Sequence, residues 1–309
     1  MVLLVERLSK LYSKLENHHH HHQSEADVLS ASLQAFRSDV SNCLNQLLLL
    51  NSEILSFPWI QQCFELLPAI NRAFAKLVVE IDYPISSWEV ASVDEYLNYG
   101  LHLLELLNSV SSSVSHLAHA RLSFAHALSL LENSPCLAIK HLKPIHPQIS
   151  SSSKDYKENS KENKLSASNK GNKGRVVNEA LQEIKHIGFW VCGVVLATLS
   201  GEAKPYLEMK KQLIPNSSSL LIGVDSYIYN VIVGKAEGLK EVKELNNAAA
   251  SLASAIVSGK CSDAAKELEK RLGVFQKHLE ALGKEVDKLF SKVLGARNQL
   301  LHGVPHHKQ

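Results

Sequence analysis

Apolar residues recur along much of this chain at alternating steps of four and three, the spacing that places them on one face of an α-helix. The three longest series lie at residues 29–54, 93–131 and 268–300. Each series covers only a stripe of its helix, so none of these helices would be stable alone. We therefore predict an all-α, antiparallel bundle of long helices, which buries the stripes most simply. A coiled-coil dimer would bury the same stripes, but the short turn at 82–88 favours packing within one chain.

Prolines and capping residues indicate where these helices begin and end. Ser24 is a suitable N-cap for the first helix, and Pro58 begins the second. Pro68 lies inside the second helix and should kink or divide it, because proline has no amide N–H. Ser86 followed by Glu89 matches a capping box, which predicts the start of a third helix that could approach about 60 Å in length.

Two further segments are apolar on all sides rather than along one stripe. Residues 187–201 contain no charged side chain, but they fall short of the run of about 20 apolar residues that a membrane span needs. We therefore expect a fully buried core helix, with peripheral or single-pass membrane association as the alternative. Residues 219–234 contain runs with β propensity, but a lone hairpin among helices would be marginal, so we predict a helix there too.

Polar, low-complexity segments divide the chain. Residues 1–149 form the predicted N-terminal helical half, with a short amphipathic helix at 4–15 that docks on the bundle and a histidine run at His18–His22. Residues 150–175 are rich in Ser, Asn and Lys and almost devoid of apolar side chains, so we predict a disordered linker. Residues 176–309 form the predicted C-terminal helical half of the same bundle.

Charge and cysteine content exclude several classes of protein. The 33 Lys and Arg residues nearly balance the 31 Asp and Glu residues, for a formal net charge of +2. This excess is too small for nucleic acid to be the main partner. The five cysteines are odd in number and include no Cys-x-x-Cys pair. They predict neither a disulfide framework nor a zinc site, and they indicate a reducing compartment.

No motif for catalysis is present in the sequence. It contains no phosphate-binding glycine loop, no His-Glu-x-x-His and no Gly-x-Ser-x-Gly. His116, His119 and His126 lie off the apolar stripe of their helix, so we expect solvated histidines rather than metal ligands. Two carboxylate pairs among lysines are expected on helix surfaces. These pairs are Glu241 with Glu244 and Glu267 with Glu269. We predict no catalytic, cofactor-binding or metal-binding residue, and no enzyme activity.

Five stretches of the chain resemble one plant family. They are residues 56–60, 81–89, 93–97, 282–290 and 296–301. The first is Ser-Phe-Pro-Trp-Ile, and the second contains a Pro-x-Ser-x-Trp turn. In these stretches the chain resembles the BYPASS family, which includes the ROH-type proteins. The resemblance spans nearly the whole chain outside the histidine run and the linker.

The resemblance implies a regulator rather than an enzyme. BYPASS-type proteins are required for normal root and shoot growth, where they restrain a root-derived mobile signal, and the family has no catalytic residues to transfer. ROH-type members are linked to an exocyst subunit. We therefore expect a non-catalytic plant developmental regulator with protein partners. The alternative is an exocyst-linked membrane-trafficking adaptor of ROH type.

The start of the chain bears on its cellular address, since family members are described as membrane-associated or plastid-targeted. A plastid transit peptide is rich in Ser and Arg and poor in acidic residues. Glu6 and Glu16 lie in this segment. We therefore predict a cytoplasmic protein, with membrane association left open, rather than a plastid protein.

Overall fold

The computed structural model describes residues 24–47, 54–146, 171–213, 221–234 and 238–303. These residues form nine α-helices and contain no β-strand, which confirms the all-α fold for the described part of the chain. The predicted N-terminal amphipathic helix and the histidine run lie outside the described residues.

The helices share one hydrophobic core, to which residues from both predicted halves of the chain contribute. A 3₁₀ turn precedes the third helix, and a π-helical turn follows the seventh. The helices are α1 (Glu25–Gln46), α2 (Phe57–Glu80), α3 (Val90–Leu130), α4 (Pro135–His141), α5 (Asn172–Ser200), α6 (Lys204–Leu213), α7 (Ile222–Tyr229), α8 (Lys240–Ser258) and α9 (Ser262–Gly303).

The two longest helices, α3 and α9, run antiparallel. Gly100, near the start of α3, faces Arg297, near the end of α9. Further along α3, Leu107 lines a small cavity together with Leu289, which lies earlier in α9. The two helices therefore run in opposite directions, as the sequence predicts for long helices with apolar stripes.

Helices α3 and α5 instead run in the same direction. The carboxylate of Glu95 lies 3.0 Å from Nζ of Lys185. Later in both helices, the rings of His102 and Phe189 have centroids 5.9 Å apart. The long stretch of chain between α3 and α5 permits this parallel pairing, which a short turn could not make.

The predicted helix starts are confirmed for α1 and α2. The Oγ of Ser24 accepts a hydrogen bond from the N–H of Asp27 at 3.3 Å. The Oγ of Ser56 accepts one from the N–H of Trp59 at 3.4 Å. Helix α2 continues through Pro68 without division, because the residues on both sides of the proline are anchored in the core.

The predicted capping box before α3 is wrong. Ser86 belongs to a 3₁₀ turn, Ile85–Ser87, and Glu89 itself occupies the N-cap position without a side-chain cap. The turn is organised around Trp88, which is extended and almost fully buried. Its indole N–H donates to the carbonyl oxygen of Tyr83 at 3.0 Å. Burial of this large ring outweighs one capping hydrogen bond.

The apolar stripes fall where the spacing places them, with a shift near the end of α1 and another near the end of α3, where Ala127 is buried rather than the predicted Leu128. In α1 the fully buried position near the end is Leu44 rather than the predicted Cys43. A straight helix with 3.6 residues per turn drifts relative to a seven-residue repeat, which explains both shifts. In α9 every member of the third series is buried. These residues are Leu268, Leu272, Phe275, Leu279, Leu282, Val286, Leu289, Val293, Ala296 and Leu300.

The structure tests the predictions made for two segments of the chain. The helix predicted at 219–234 is confirmed for its described residues, which form α7 and the π-helical turn Asn230–Gly234. The predicted linker, 150–175, extends too far, since residues 172–175 already form the first turn of α5. Burial of Val176 and the residues after it stabilises the polar turn before them. Most of the linker lies outside the described residues.

Candidate functional site

Helix α5 lies at the centre of the bundle. It packs against α1, α2, α3 and α6, and residues 186–195 are all buried. Trp190 and Val194 are 2% and 0% exposed. This placement confirms the core helix expected at 187–201.

By length and composition α5 would also suit a membrane. Within the described ranges it is the one helix that is long and apolar enough to cross a bilayer, and 89% of its apolar window is buried inside the protein. A buried core helix has the same composition as a spanning helix. The role of α5 therefore depends on which parts of the chain cover it.

Residues 202–213 and 221–234, which we call the cover, lie in the chain between Gly201 at the end of α5 and Gly238. Gly201 ends α5 in the left-handed conformation, with φ of 66°. A Cβ on Gly238 would lie only 2.8 Å from the Cα of Gly201. The N–H of Leu239 then donates to the carbonyl oxygen of Thr198 at 3.1 Å. Gly201 and Gly238 are therefore in contact, and between them α6 and α7 lie against one side of α5.

Helix α6 approaches α5 closely because α5 has no side chain at Gly193. A Cβ at this position would lie 2.7 Å from Cγ of Met209 and 3.5 Å from the carbonyl oxygen of Pro205. Met209 is itself 4% exposed. A glycine in the middle of a helix costs stability, and here the close packing of the cover offsets that cost.

The carboxylate of Asp225 joins α5, α6 and α7, and we call its contacts the Asp225 network. Its Oδ1 accepts hydrogen bonds from Nε1 of Trp190 at 2.8 Å and from the hydroxyl of Tyr206 at 2.5 Å. Its Oδ2 accepts one from Nζ of Lys210 at 2.5 Å. The same ammonium lies 4.7 Å from the ring centroid of Tyr229. The side chains of Asp225 and Lys210 are 16% and 31% exposed, so the ion pair is mostly desolvated.

The Asp225 network has the chemistry of an anchor. Burial, together with the hydrogen bond to Asp225, raises the pKa of Tyr206 above its usual range, so the hydroxyl remains a donor. The carboxylate of Asp225 is balanced by the charge of Lys210 and accepts from three donors. Loss of either charge would leave the other one poorly solvated and unpaired. We take this network as the candidate functional site, because it holds the cover on α5.

The thiols of Cys63 and Cys192 lie in an environment that disfavours the reactive thiolate. Cys63 and Cys192 are fully buried. Burial raises the pKa of Cys192 to about 12, and it raises the pKa of Cys63 as well. A thiol reacts as its thiolate, so these two cysteines are inert. All five cysteines of the chain are free thiols.

A second polar contact lies on the α1 side of α5. Nε of Arg37 donates to Oε1 of Glu183 at 2.8 Å, and its Nη2 lies 3.5 Å from Oε2 of Glu179. The other oxygen of Glu183, Oε2, is buried without a hydrogen-bond partner. Burial raises the pKa of Glu183, although Arg37 opposes this effect. Helix α5 therefore carries a partly unsatisfied carboxylate on its α1 side.

The histidines singled out in the sequence do not come together as a site. His119 and His126 are exposed, and His116 is half-buried. The ring of His126 packs against that of His141, with centroids 4.6 Å apart. Among the described residues, no group of three or more His, Cys, Asp or Glu side chains has a geometry that could hold a metal ion.

One residue of the two carboxylate pairs does not lie on the surface as predicted. Glu244 and Glu267 behave as expected, since both contact Arg271, at 2.9 and 2.6 Å. The prediction is wrong for Glu241, which is half-buried and whose Oε1 accepts from the N–H of Phe57 at 3.0 Å. The carboxylate of Glu241 at the start of α2 accepts from an N–H that has no partner within the helix, and its negative charge is favourable at the positive end of the helix dipole.

Sequence reasoning missed the Asp225 network, although one signal was present. Asp225 is the only charged residue within 214–234. A lone carboxylate in so apolar a run indicates a buried partner. The partners Trp190 and Lys210 lie 35 and 15 positions away, and only the packing of α5, α6 and α7 brings them together.

Known proteins match this chain over most of its length. A family model described as Protein BPS1 matches residues 86–302. The Arabidopsis thaliana protein named "Protein BPS1, chloroplastic" is 26% identical over 305 residues, which cover 91% of this chain and 87% of that protein. "UPF0496 protein 4" of Oryza sativa subsp. japonica is 26% identical over 201 residues, which cover 60% of this chain and 42% of the rice protein. No solved structure matches significantly.

The comparison overturns one prediction and decides the family. The name of the Arabidopsis protein places that relative in the chloroplast, which contradicts the prediction of a cytoplasmic rather than a plastid protein. That prediction rested on Glu6 and Glu16, and low acidity is only a compositional tendency of transit peptides. The family model extends from the turn before α3 almost to the end of α9, well over half of the chain. This chain therefore belongs to the BPS1 family, the BYPASS-type plant regulators that its sequence resembles.

Proposed function

We propose that this chain is a non-catalytic regulator of plant development. It acts by contact with protein partners, restrains a root-derived mobile signal and supports normal root and shoot growth. The match of the BPS1 family model to residues 86–302 carries the proposal. The charged groups of the Asp225 network pair with each other and hold helices together, which is a structural and not a catalytic use of these groups.

A plant line without its own BPS1-family protein provides the test. Expression of this chain in the root should restore growth of both root and shoot. Expression in the shoot alone should leave the shoot arrested, because the signal originates in the root. Grafts between rescued and unrescued plants separate the two cases. A shoot that stays arrested although the root accumulates stable protein would contradict the proposal.

An exocyst-linked membrane-trafficking adaptor of ROH type is the second candidate. The resemblance to ROH-type proteins suggests it, and α5 has the length and composition of a membrane span, although 89% of its apolar window is buried inside the protein. A pull-down from plant extract should then recover exocyst subunits, and carbonate-washed membranes should retain the chain. Recovery of the chain in the carbonate supernatant without any exocyst subunit would reject the adaptor.

The name of the Arabidopsis relative leads us to include a plastid address in the proposal. The full chain with a C-terminal fluorescent protein should coincide with chlorophyll in leaf cells. Fluorescence confined to the cytosol would contradict this address. A plastid signal would also count against the exocyst-linked adaptor, because the plastid envelope would separate the two proteins.

A further inference from the structure

A small cavity lies between α2, α3 and α9 and shares no lining residue with the Asp225 network. Its volume is about 20 Å³, and a cavity of about 10–15 Å³ is enough for one water molecule. Most of its lining consists of leucine and valine side chains from the three helices. Asn71 of α2 and Lys292 of α9 are the two polar residues among the lining residues. The cavity therefore has the size of one water and contains polar groups.

Asn71 supplies a hydrogen-bond acceptor to this cavity. Its side chain is buried, with 6% of the residue exposed, and its Nδ2 donates to the carbonyl oxygen of Leu67 at 2.9 Å. This bond fixes the orientation of the amide, because only the nitrogen can face a carbonyl oxygen. The other end, Oδ1, is buried without a hydrogen-bond partner among the described residues. Buried acceptors in folded proteins are nearly always bonded to protein or to ordered water, since an unmade bond costs stability.

Pro68, which also lines the cavity, leaves a second acceptor in the same stretch of α2. In an α-helix the N–H of residue 68 would donate to the carbonyl oxygen of Phe64, but proline has no N–H. Phe64 is fully buried, so bulk solvent cannot take the place of this donor. The carbonyl points along the helix towards Pro68, and hence towards the wall of the cavity that Pro68 forms.

We propose that the cavity binds one structural water molecule. The water donates one hydrogen bond to Oδ1 of Asn71 and the other to the carbonyl oxygen of Phe64. Its oxygen accepts from the ammonium of Lys292, which carries three donors and no acceptor. About three hydrogen bonds are typical of a buried water. The site goes beyond the regulatory function proposed above and does not depend on it.

The chemistry of the lining selects water over other ligands. A metal cation does not suit the cavity, because Lys292 is positively charged. An anion does not suit it, because Oδ1 of Asn71 offers only lone pairs. A neutral molecule that both donates and accepts fits all of these groups, and the volume limits the choice to water. The bound water links α2 to α9 at the point where α2 lacks an internal hydrogen bond.

A crystal structure that resolves ordered water tests the site directly. Density for one water should lie about 3 Å from both Oδ1 of Asn71 and the carbonyl oxygen of Phe64. A cavity without such density would overturn the proposal. A direct hydrogen bond from Lys292 to Asn71 in place of the water would overturn it as well.

Oxygen-17 relaxation dispersion, which counts long-lived internal waters in solution, provides an independent test on the full chain. Asn71→Leu removes the acceptor and should lower the count by one. Asn108→Leu makes the same change at an exposed position of α3 and should leave the count unchanged. An Asn71→Leu chain with the helix content and the water count of the wild type would overturn the proposal. If Asn71→Leu does not fold, the crystal structure of the wild type decides the question.

Pro68→Ala tests the role of the Phe64 carbonyl. The alanine supplies the missing N–H, which engages this carbonyl within α2. The water then loses one of its three hydrogen bonds, and its residence time in the same measurement should fall about tenfold. Pro135→Ala, at the start of α4, restores an N–H that a helix start leaves unpaired anyway, so it should not change the residence time. An equal residence time in the Pro68→Ala chain and the wild type would overturn the assignment.

Discussion

Helices α5 and α9 belong to the same bundle but differ in how much of their surface is buried. Helix α5 has 29 residues, and its second half is buried on nearly every side. Helix α9 has 42 residues, but it buries a single stripe and exposes charged residues on the rest of its surface. The longer helix is thus the less buried one. The distribution of apolar residues around a helix, rather than its length, determines how deeply it lies.

The difference matters most for polar groups. Next to α5, Asp225 and Lys210 form an ion pair whose side chains are 16% and 31% exposed. On α9, Arg271 and Glu267 form one whose side chains are 38% and 49% exposed. If one partner of the ion pair is lost, water can solvate the remaining charge on α9, but it can do so only poorly beside α5. The same kind of ion pair should therefore be essential at α5 and of small effect at α9.

A buried charge should separate the two helices most strongly. Val194→Asp places a carboxylate at a fully buried position of α5, and it should cost more than about 4 kcal/mol and leave the chain unfolded or aggregated. Val274→Asp, at a position of α9 that is 48% exposed, should cost less than about 1 kcal/mol. Urea denaturation followed by circular dichroism measures both. If Val194→Asp instead gave a folded protein released from membranes, α5 would lie in lipid rather than in the core.

Removal of one partner from each ion pair should give the next largest difference. Asp225→Ala leaves the Lys210 ammonium without its carboxylate and should cost about 3 kcal/mol. Glu267→Ala removes an exposed partner of Arg271 and should cost less than about 1 kcal/mol. Hydrogen exchange should show faster opening of α6 and α7 in the Asp225 variant alone. Equal losses in both variants would contradict the anchoring role of the Asp225 network.

Glycine substitutions should change stability in opposite directions in the two helices. A Cβ at Gly188 of α5 would lie 2.5 Å from the hydroxyl oxygen of Tyr99, a fully buried side chain. Gly188→Ala should therefore destabilise the chain by about 1–3 kcal/mol. A Cβ at Gly283 of α9 would meet nothing within 4 Å, so Gly283→Ala should stabilise it by about 0.5–1 kcal/mol. Thermal unfolding of both variants tests the opposite signs.

The smallest effect concerns pH. Burial raises the pKa of Glu183, so the folded chain holds this proton more tightly than the unfolded chain. The stability from Glu183 is then present at low pH and is lost as pH rises from the unfolded value of about 4.3 through the folded pKa. Glu183→Gln removes this loss, so the variant should gain stability relative to the wild type as pH rises. Glu241→Gln should show the same sign, since burial also raises the pKa of Glu241. A constant difference between pH 4 and 7 would contradict the cause given for both residues.

Sequence patterns predicted features that depend on neighbouring residues. The apolar stripe of α9, the Ser24 cap of α1 and the helix in the β-prone segment 219–234 are all confirmed. Patterns failed where a residue's partner is remote. Glu241 looked like ordinary helix surface, but it caps α2 at Phe57, 184 positions away. The prediction for the turn before α3 was wrong for a related reason. Trp88 is buried between two helices, and this burial decided the geometry of the turn.

The sequence by itself determined that this protein is built from helices, which helices bury only a stripe, which segment is apolar all round, and which plant family the chain resembles. Only the tertiary structure decided that α5 lies at the centre, that Asp225 holds its cover, and that Asn246 binds the main chain of Ile145, 101 positions away. The physical reason is one of range. Helical periodicity arises from residues a few positions apart, whereas the partner of a buried polar group depends on how whole helices pack against each other.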